Sequence, residues 1–330
     1  MHAVRHGGDA GEASRLFPRA PGPWLDLSTG INPIPYPVGP LPSETWTRLP
    51  GSNELDRLRR AAASAYGVPD AGCVVAAPGT QILINLLPRL RPPGRVAVLG
   101  PTYGEHAPAW AAAGHRVDTV REAAALEDVD VAVVVNPNNP DGRALRPDRL
   151  HRLADALGRR GGLLVVDEAF ADVSPEVSVA GGIATDGLVV LRSFGKFHGL
   201  AGLRLGFALA SGPLAARIED ALGPWAVSGP ALAIGAAALS DAAWAAATRA
   251  RLAADARCLD GLLHDAGLDV VGGTALYRLV ASDFALEWFT RLGEQGIYVR
   301  RFDHDSRLLR FGLPGTEADW RRLGAALRLA

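Results

Sequence analysis

Lysine is almost missing from this 330-residue chain: of its 34 basic residues, all but Lys196 are arginine. Cysteine is nearly as scarce. Cys73 and Cys258 lie far apart and in no metal-ligand spacing, so neither a disulfide framework nor a metal site is expected, and a reducing, cytoplasmic compartment fits. The chain opens on His2, Arg5, His6, Asp9 and Glu12 where an export signal would need an apolar run. The most apolar long stretch, residues 226–247, is mostly alanine and contains Pro230 and Asp241; it is read as a buried helix and not as a membrane span. Basic runs interleaved with aromatics are also absent, and the formal charge is −1, which argues against a nucleic-acid partner. Any anion must therefore be held locally.

What is present is an ordinary packed composition, 48% hydrophobic and 21% charged, over a length that favours a large domain with a smaller one. Short apolar, β-branched runs at 73–77, 95–99, 129–135, 163–167, 188–191 and 205–209 are interleaved with helix-like stretches such as 80–90 and 147–159. Apolar strands separated by helices predict a mostly parallel sheet covered on both faces, a three-layer α/β domain. After Gly212 the pattern is helical, then short strands at 268–271, 276–280, 297–300 and 308–311 alternate with helices, predicting a compact α+β lobe. The expected division is an arm belonging to the smaller domain at 1–40, a large domain at 41–240 and a C-terminal small domain at 241–330.

Four segments put reactive or anion-binding groups just after apolar runs, where open parallel sheets bind ligands. In Ala76-Ala77-Pro78-Gly79-Thr80-Gln81 a strand turns through glycine into a helix start, which serves either as a plain cap or as a phosphate site. Asn136-Pro137-Asn138-Asn139-Pro140-Asp141-Gly142 makes turns and offers Asn139 as a donor to a ring oxygen. Asp167 ends an apolar run as a cap, a metal ligand or the partner of a cation, and further metal ligands are lacking nearby. Ser193-Phe194-Gly195-Lys196 puts the lone lysine after another run, with Arg204 close by in sequence. Composition alone is equally compatible with a surface lysine. Its neighbourhood is more specific. An amine able to condense with a carbonyl, a carboxylate for a cationic ring nitrogen, an asparagine for a phenolic oxygen and a phosphate cradle together describe a pyridoxal 5'-phosphate site.

In their order, Gly79-Thr80, Pro101-Thr102-Tyr103-Gly104, Asn138-Asn139-Pro140, Asp167-Glu168-Ala169, Ser193-Phe194-Gly195-Lys196 and Arg204 resemble the fold-type I pyridoxal phosphate enzymes of the aspartate aminotransferase superfamily. The resemblance runs along nearly the whole chain and points within that superfamily to the histidinol-phosphate aminotransferase branch. It implies a three-layer α/β/α large domain, a smaller α+β domain and a homodimer. It also makes Lys196 the Schiff-base lysine, Asp167 the pyridinium partner, Asn139 the donor to the phenolic oxygen and Tyr103 the residue stacked on the ring. The amides of Gly79, Thr80 and Gln81, with Ser193 and Arg204, would hold the cofactor phosphate. Leu309-Arg310-Phe311-Gly312 matches the segment whose arginine grips the substrate α-carboxylate, and Gly296-Ile297-Tyr298-Val299-Arg300 matches one with a substrate-phosphate arginine. An exposed arginine on a strand edge is the alternative for both. Two departures stand out: Phe170 and Leu49 occupy positions where aminotransferases carry tyrosine.

His6-Gly7-Gly8-Asp9 and Leu27-Ser28-Thr29-Gly30-Ile31-Asn32-Pro33 are similar to the opening of the threonine-phosphate decarboxylases of cobalamin biosynthesis. That likeness implies carbon dioxide release from L-threonine O-3-phosphate, with Asn32 and Arg310 on the carboxylate and His6 and Arg300 on the phosphate. Transamination of histidinol phosphate is the alternative reaction. A silent cofactor-binding sensor is disfavoured, because the chain has neither a helix-turn-helix extension nor a basic patch.

Overall fold

Seven short runs pair into one sheet in the computed structural model, which describes residues 6–183 and 186–328. They are β1 (Val74–Ala77), β2 (Arg95–Leu99), β3 (Arg116–Val120), β4 (Val131–Val135), β5 (Leu163–Asp167), β6 (Leu188–Ser193) and β7 (Gly206–Ala210), in the order β1-β7-β6-β5-β4-β2-β3. β7 runs antiparallel to both neighbours and the other pairs are parallel. Alternation along each strand feeds two cores. Ala132, Val134, Leu164, Val166 and Val190 enter one, and Val131, Val133, Leu163, Val165 and Val189 the other. Burial on both faces is why these strands read as continuous apolar runs. β3 escaped the sequence reading because it lies at the sheet edge, where Arg116, Asp118 and Thr119 are exposed.

The stretch at 226–247 is not one helix. Gly229–Ser240 and Ala242–Asp265 meet at 77°. Asp241 makes the break, its carboxylate accepting from the Trp244 amide at 2.9 Å and so capping the second helix. Among the described residues no single helix is long and apolar enough to cross a membrane.

By internal packing the chain divides into two units. The larger comprises Tyr36–Asn139 and Arg143–Ala245; the smaller takes the described residues up to Pro35, the excursion Pro140–Gly142 and the chain from Ala246 onward. The smaller unit holds a sheet of β8 (Asp269–Thr274), β9 (Tyr277–Ala281), β10 (Arg300–Arg301) and β11 (Leu308–Gly312), in the order β10-β11-β9-β8. A parallel pair, Leu25–Asp26 with Ile297–Tyr298, ties the N-terminal segment to it. The arm itself carries a helix, Ala10–Leu16, started by Asp9, whose side chain accepts from the Glu12 amide. That helix docks through the Tyr298 hydroxyl, which donates to Glu12 Oε2 at 3.1 Å. Burial, and then the Glu12 carboxylate, push the Tyr298 hydroxyl pKa up to about 12.

The ends of β5 and β6 are locked by a buried ion cluster. Arg192 donates to Glu168 Oε2 at 2.7 Å and to Asp172 Oδ1 at 2.6 Å, and its guanidinium lies 4.3 Å over the Tyr66 ring. Burial disfavours the Arg192 charge, but Asp172 and Glu168 outweigh it and hold the guanidinium pKa above its ordinary value. Breaking such a cluster from one side strands a buried charge. Arg192→Met is therefore expected to cost about 3–5 kcal/mol, seen as a lower urea midpoint with an unchanged slope. A midpoint within error of the parent would show that the cluster contributes no net stability.

Candidate active site

Asp167 closes β5 with a buried carboxylate. Its Oδ2 lies 2.9 Å from His106 Nε2, and its Oδ1 accepts from the Ala169 amide at 3.0 Å. His106 opens the helix His106–Ala112, three residues after Tyr103, whose ring meets the imidazole edge-on at a centroid distance of 6.0 Å. The Tyr103 hydroxyl donates to Gln81 Oε1 at 3.0 Å. Gln81, Tyr103, His106 and Asp167 thus form one connected set. The loop after β4 is bound to the same strand end by the Asn136 amide, which donates to Asp167 O at 2.8 Å. Within that loop Asn138 accepts from Thr102 Oγ1 at 2.6 Å and donates to Pro101 O at 3.0 Å, so half-buried Asn139 follows a fixed neighbour.

Lys196 sits in the one-turn helix Phe194–Phe197 directly after β6, its Nζ 5.9 Å from the centre of the Phe170 ring. Ser193, the last residue of β6, is paired across the sheet with Gly206, which pairs on its other side with Ala77 at the end of β1. Gly79 follows with φ 86°, and a Cβ there would stand 2.5 Å from Arg204 Nη2. Only glycine therefore lets the guanidinium pack on this turn. The Gly79 amide donates back to Ala77 O at 2.7 Å, contrary to its expected use as an anion donor. The donors that a helix start offers fall instead to Thr80 and Gln81. A guanidinium, a hydroxyl and a helix start around this turn fit a phosphate, and Lys196 with Asp167 fits the aldehyde and nitrogen of pyridoxal 5'-phosphate.

The smaller unit gathers a second set. Arg310 on β11 is buried, donates from Nη2 to Ser28 O at 2.7 Å and lies 4.9 Å over the Tyr277 ring. Arg300 on β10 stands directly opposite it. Burial lowers the Arg310 pKa to about 10, Tyr277 opposes that shift and Arg300 adds to it. Arg301 points to the other side, 4.0 Å over the Phe289 ring. Ser28 is the meeting point: its carbonyl takes Arg310, and its hydroxyl accepts from the Gly8 amide at 2.8 Å and donates to Asp26 Oδ1 at 2.5 Å. A Cβ on Gly7 would collide with the Ser28 carbonyl, so His6-Gly7-Gly8 lies against this residue. Four residues on, Asn32 Oδ1 accepts from the Ile34 amide at 3.1 Å and from Arg251 Nη2 at 2.7 Å.

Over residues 41–327 the chain matches the profile of the aminotransferase class I and II family. It belongs to that family. It is 48% identical over 329 residues to the threonine-phosphate decarboxylase of a Sinorhizobium species, covering 98% of this chain and 97% of that protein. It is 45% identical to the threonine-phosphate decarboxylase of Pseudomonas aeruginosa over 98% of this chain and 97% of that one. The histidinol-phosphate aminotransferase of Sinorhizobium meliloti, solved with pyridoxal-5'-phosphate, superposes with a TM-score of 0.82 at 21% identity, over 98% of this chain and 95% of that one. At that identity it shows the shared aminotransferase-family fold.

Within this family fold, the roles of four residues of these clusters are not marked by the sequence motifs. His106 lies one helical turn beyond Tyr103, a spacing that could have flagged it. Ser28 stood inside a noted motif, but its role is carried by a main-chain carbonyl that sequence does not display. Arg192 and Arg251 are two arginines among many. His106 makes a direct test. His106→Leu leaves Asp167 Oδ2 without that donor and is expected to cost about 1–3 kcal/mol in the apoprotein, read from its denaturation midpoint. An unshifted midpoint would mean that the carboxylate is held by other groups.

Proposed function

We propose that this protein, with pyridoxal 5'-phosphate as cofactor, decarboxylates L-threonine O-3-phosphate to (R)-1-amino-2-propanol O-2-phosphate for cobalamin biosynthesis. The observation that carries the reading is full-length identity of 48% and 45% to two proteins named threonine-phosphate decarboxylase. The site chemistry supports it independently. Two arginines stand opposite each other on adjacent strands, and a phosphorylated amino acid brings two anions.

When bound, the cofactor supplies an electron sink conjugated to the substrate Cα. Lys196 is the residue able to condense with its aldehyde. Asp167, oriented by His106, keeps a proton on the ring nitrogen, and Tyr103 covers the ring face. Thr80, Gln81, Ser193 and Arg204 hold the cofactor phosphate, and Asn139 donates to the phenolic oxygen. Arg310 and Asn32 receive the substrate carboxylate; Arg300 and His6 receive its phosphate. After carbon dioxide leaves, Lys196 Nζ is the group suited to return a proton to Cα.

In this reading the enzyme is a cytoplasmic homodimer. Its two cysteines, both unpaired thiols, suit a reducing compartment. Trp46, Leu49 and Trp225 are 68%, 68% and 60% exposed, and Trp225 and Pro50 line a cavity of about 210 Å³. Large exposed apolar side chains of this kind suit burial against a second copy.

The deciding experiment incubates the cofactor-loaded protein with L-threonine O-3-phosphate and no keto acid. Stoichiometric carbon dioxide and aminopropanol phosphate are expected. Glutamate formation from 2-oxoglutarate with histidinol phosphate, and no carbon dioxide, would replace this reading by transamination. Lys196→Ala should abolish turnover together with the cofactor's visible absorbance. Arg310→Met should raise KM by about 10- to 100-fold, the loss of a charged hydrogen bond, with cofactor loading intact. Collapse of loading instead would reassign Arg310 to the cofactor.

A further inference from the structure

A helix of one turn cannot hold itself in place, because ordering its first residues costs more than its hydrogen bonds contribute. The turn that carries Lys196, Phe194–Phe197, is of this kind and must be fixed by what packs on it. With about 3.6 residues per turn, Phe194, Phe197 and His198 fall on one side and Lys196 on the other. The buried imidazole of His198 stacks on two rings, Phe194 at 4.1 Å and 9° and Trp244 at 5.5 Å and 10°. Phe197 packs edge-on against both members of the second pair, at 5.2 Å from His198 and 5.5 Å from Trp244. Gly195 abuts backbone, since a Cβ there would stand 2.7 Å from Ala201 Cα. Trp244 comes from the first turn of the helix Ala242–Asp265 and is itself held. Its amide donates to Asp241 Oδ1 at 2.9 Å, and its ring meets Tyr36 edge-on at 5.1 Å. The Tyr36 amide donates in turn to His198 O at 2.9 Å, which closes a ring of contacts around the stack.

We propose that Trp244 is a positioning residue: stacked on His198, it fixes the turn from which Lys196 reaches the cofactor aldehyde. The proposal deepens the reading of Lys196 given above and rests on it. In that reading the amine nitrogen bonds the aldehyde carbon, and the aldehyde oxygen leaves as water with both amine protons. Such a bond forms readily only where the two atoms are held close, and a misplacement of about 1 Å can cost roughly a hundredfold. The stem of a lysine is flexible, so its base is the part that packing can hold, and the aromatic side of the turn does so. The bend at Asp241 serves the same end, since it starts the helix whose first turn presents Trp244 to His198.

The test titrates the full-length chain, freed of cofactor, with two ligands. Pyridoxal 5'-phosphate carries the aldehyde that Lys196 needs; pyridoxamine 5'-phosphate offers the same ring and phosphate but forms no bond to a lysine. Trp244→Leu is expected to weaken pyridoxal 5'-phosphate binding roughly tenfold and to leave pyridoxamine 5'-phosphate binding at the parent's value. His198→Leu should show the same split, and the double variant should be no worse than His198→Leu alone, because Trp244 acts through His198. Trp244→Phe, which keeps a ring, should recover most of the loss. Equal weakening of both ligands would make the stack a structural element only and overturn the proposal, as would unchanged binding of both or multiplicative losses in the double variant. A Trp244→Leu chain that does not fold would overturn it too, since the stack would then hold the domain and not the lysine. The underlying assignment is checked separately on the parent. Borohydride should fix bound pyridoxal 5'-phosphate to Lys196, the only lysine of the chain, as a mass increment on its peptide. A peptide without that increment would overturn the Schiff-base reading of Lys196, and this proposal with it.

Discussion

A carboxylate buried at the end of a strand that is apolar on both faces is the constraint around which the larger unit is organised. Desolvating the Asp167 charge costs several kcal/mol, and nothing else on β5 can offset it. The help comes from elsewhere: His106 from the start of a following helix, the Ala169 amide from the turn beyond, and the Asn136 amide clasping the carbonyl of the same residue. The next residue, Glu168, faces its own buried cation, Arg192, through the alternation that a strand imposes. Two adjacent acids are thus held by two different partners. The turn from β5 toward Phe170 and the turn from β6 toward Lys196 are fixed by the same salt-bridged cluster.

The smaller unit handles charge differently. Arg310 is buried beside Arg300, and its contacts include a main-chain carbonyl and an aromatic face. Burial lowers its pKa to about 10, and Tyr277 and Asp26 oppose that shift. The near absence of lysine belongs to the same logic. Arginine stays charged and binds anions through a rigid fork, and the one lysine, directly after β6, is the residue to which the proposed reading gives the covalent bond to an aldehyde.

Much of this was legible in the chain because the strands of the larger unit are buried on both sides and therefore advertise themselves. Their ends carry Asp167, Ser193 and the Gly79 turn, so the order of motifs already marked these strand ends. What stayed hidden has physical reasons. β3 is an edge strand and reads as polar; the bend at Asp241 looks like one more residue in an alanine-rich helix until its carboxylate is seen capping Trp244. The Gly79 amide folds back on Ala77, a local hydrogen bond that the motif does not display. His106, Ser28 and Arg251 act through partners 61, 282 and 219 residues away, and one sequence carries no trace of such pairings.

Decarboxylation and transamination demand the same lysine, carboxylate and phosphate cradle, so neither is chosen by the residues that hold the cofactor. The choice lies in which bond at Cα stands perpendicular to the ring plane, and that is a question of how the substrate is gripped. A substrate with one anion can still swing about its point of attachment. In the proposed reading, one with two anions on Arg310 and Arg300 would have little rotation left. Phe170 sets an apolar ring 5.9 Å from Lys196 Nζ, at a position where the resembling aminotransferases carry tyrosine. In the proposed reading, reaction specificity would then depend on how the substrate's two anions are gripped, and the residues that hold the cofactor would serve either outcome.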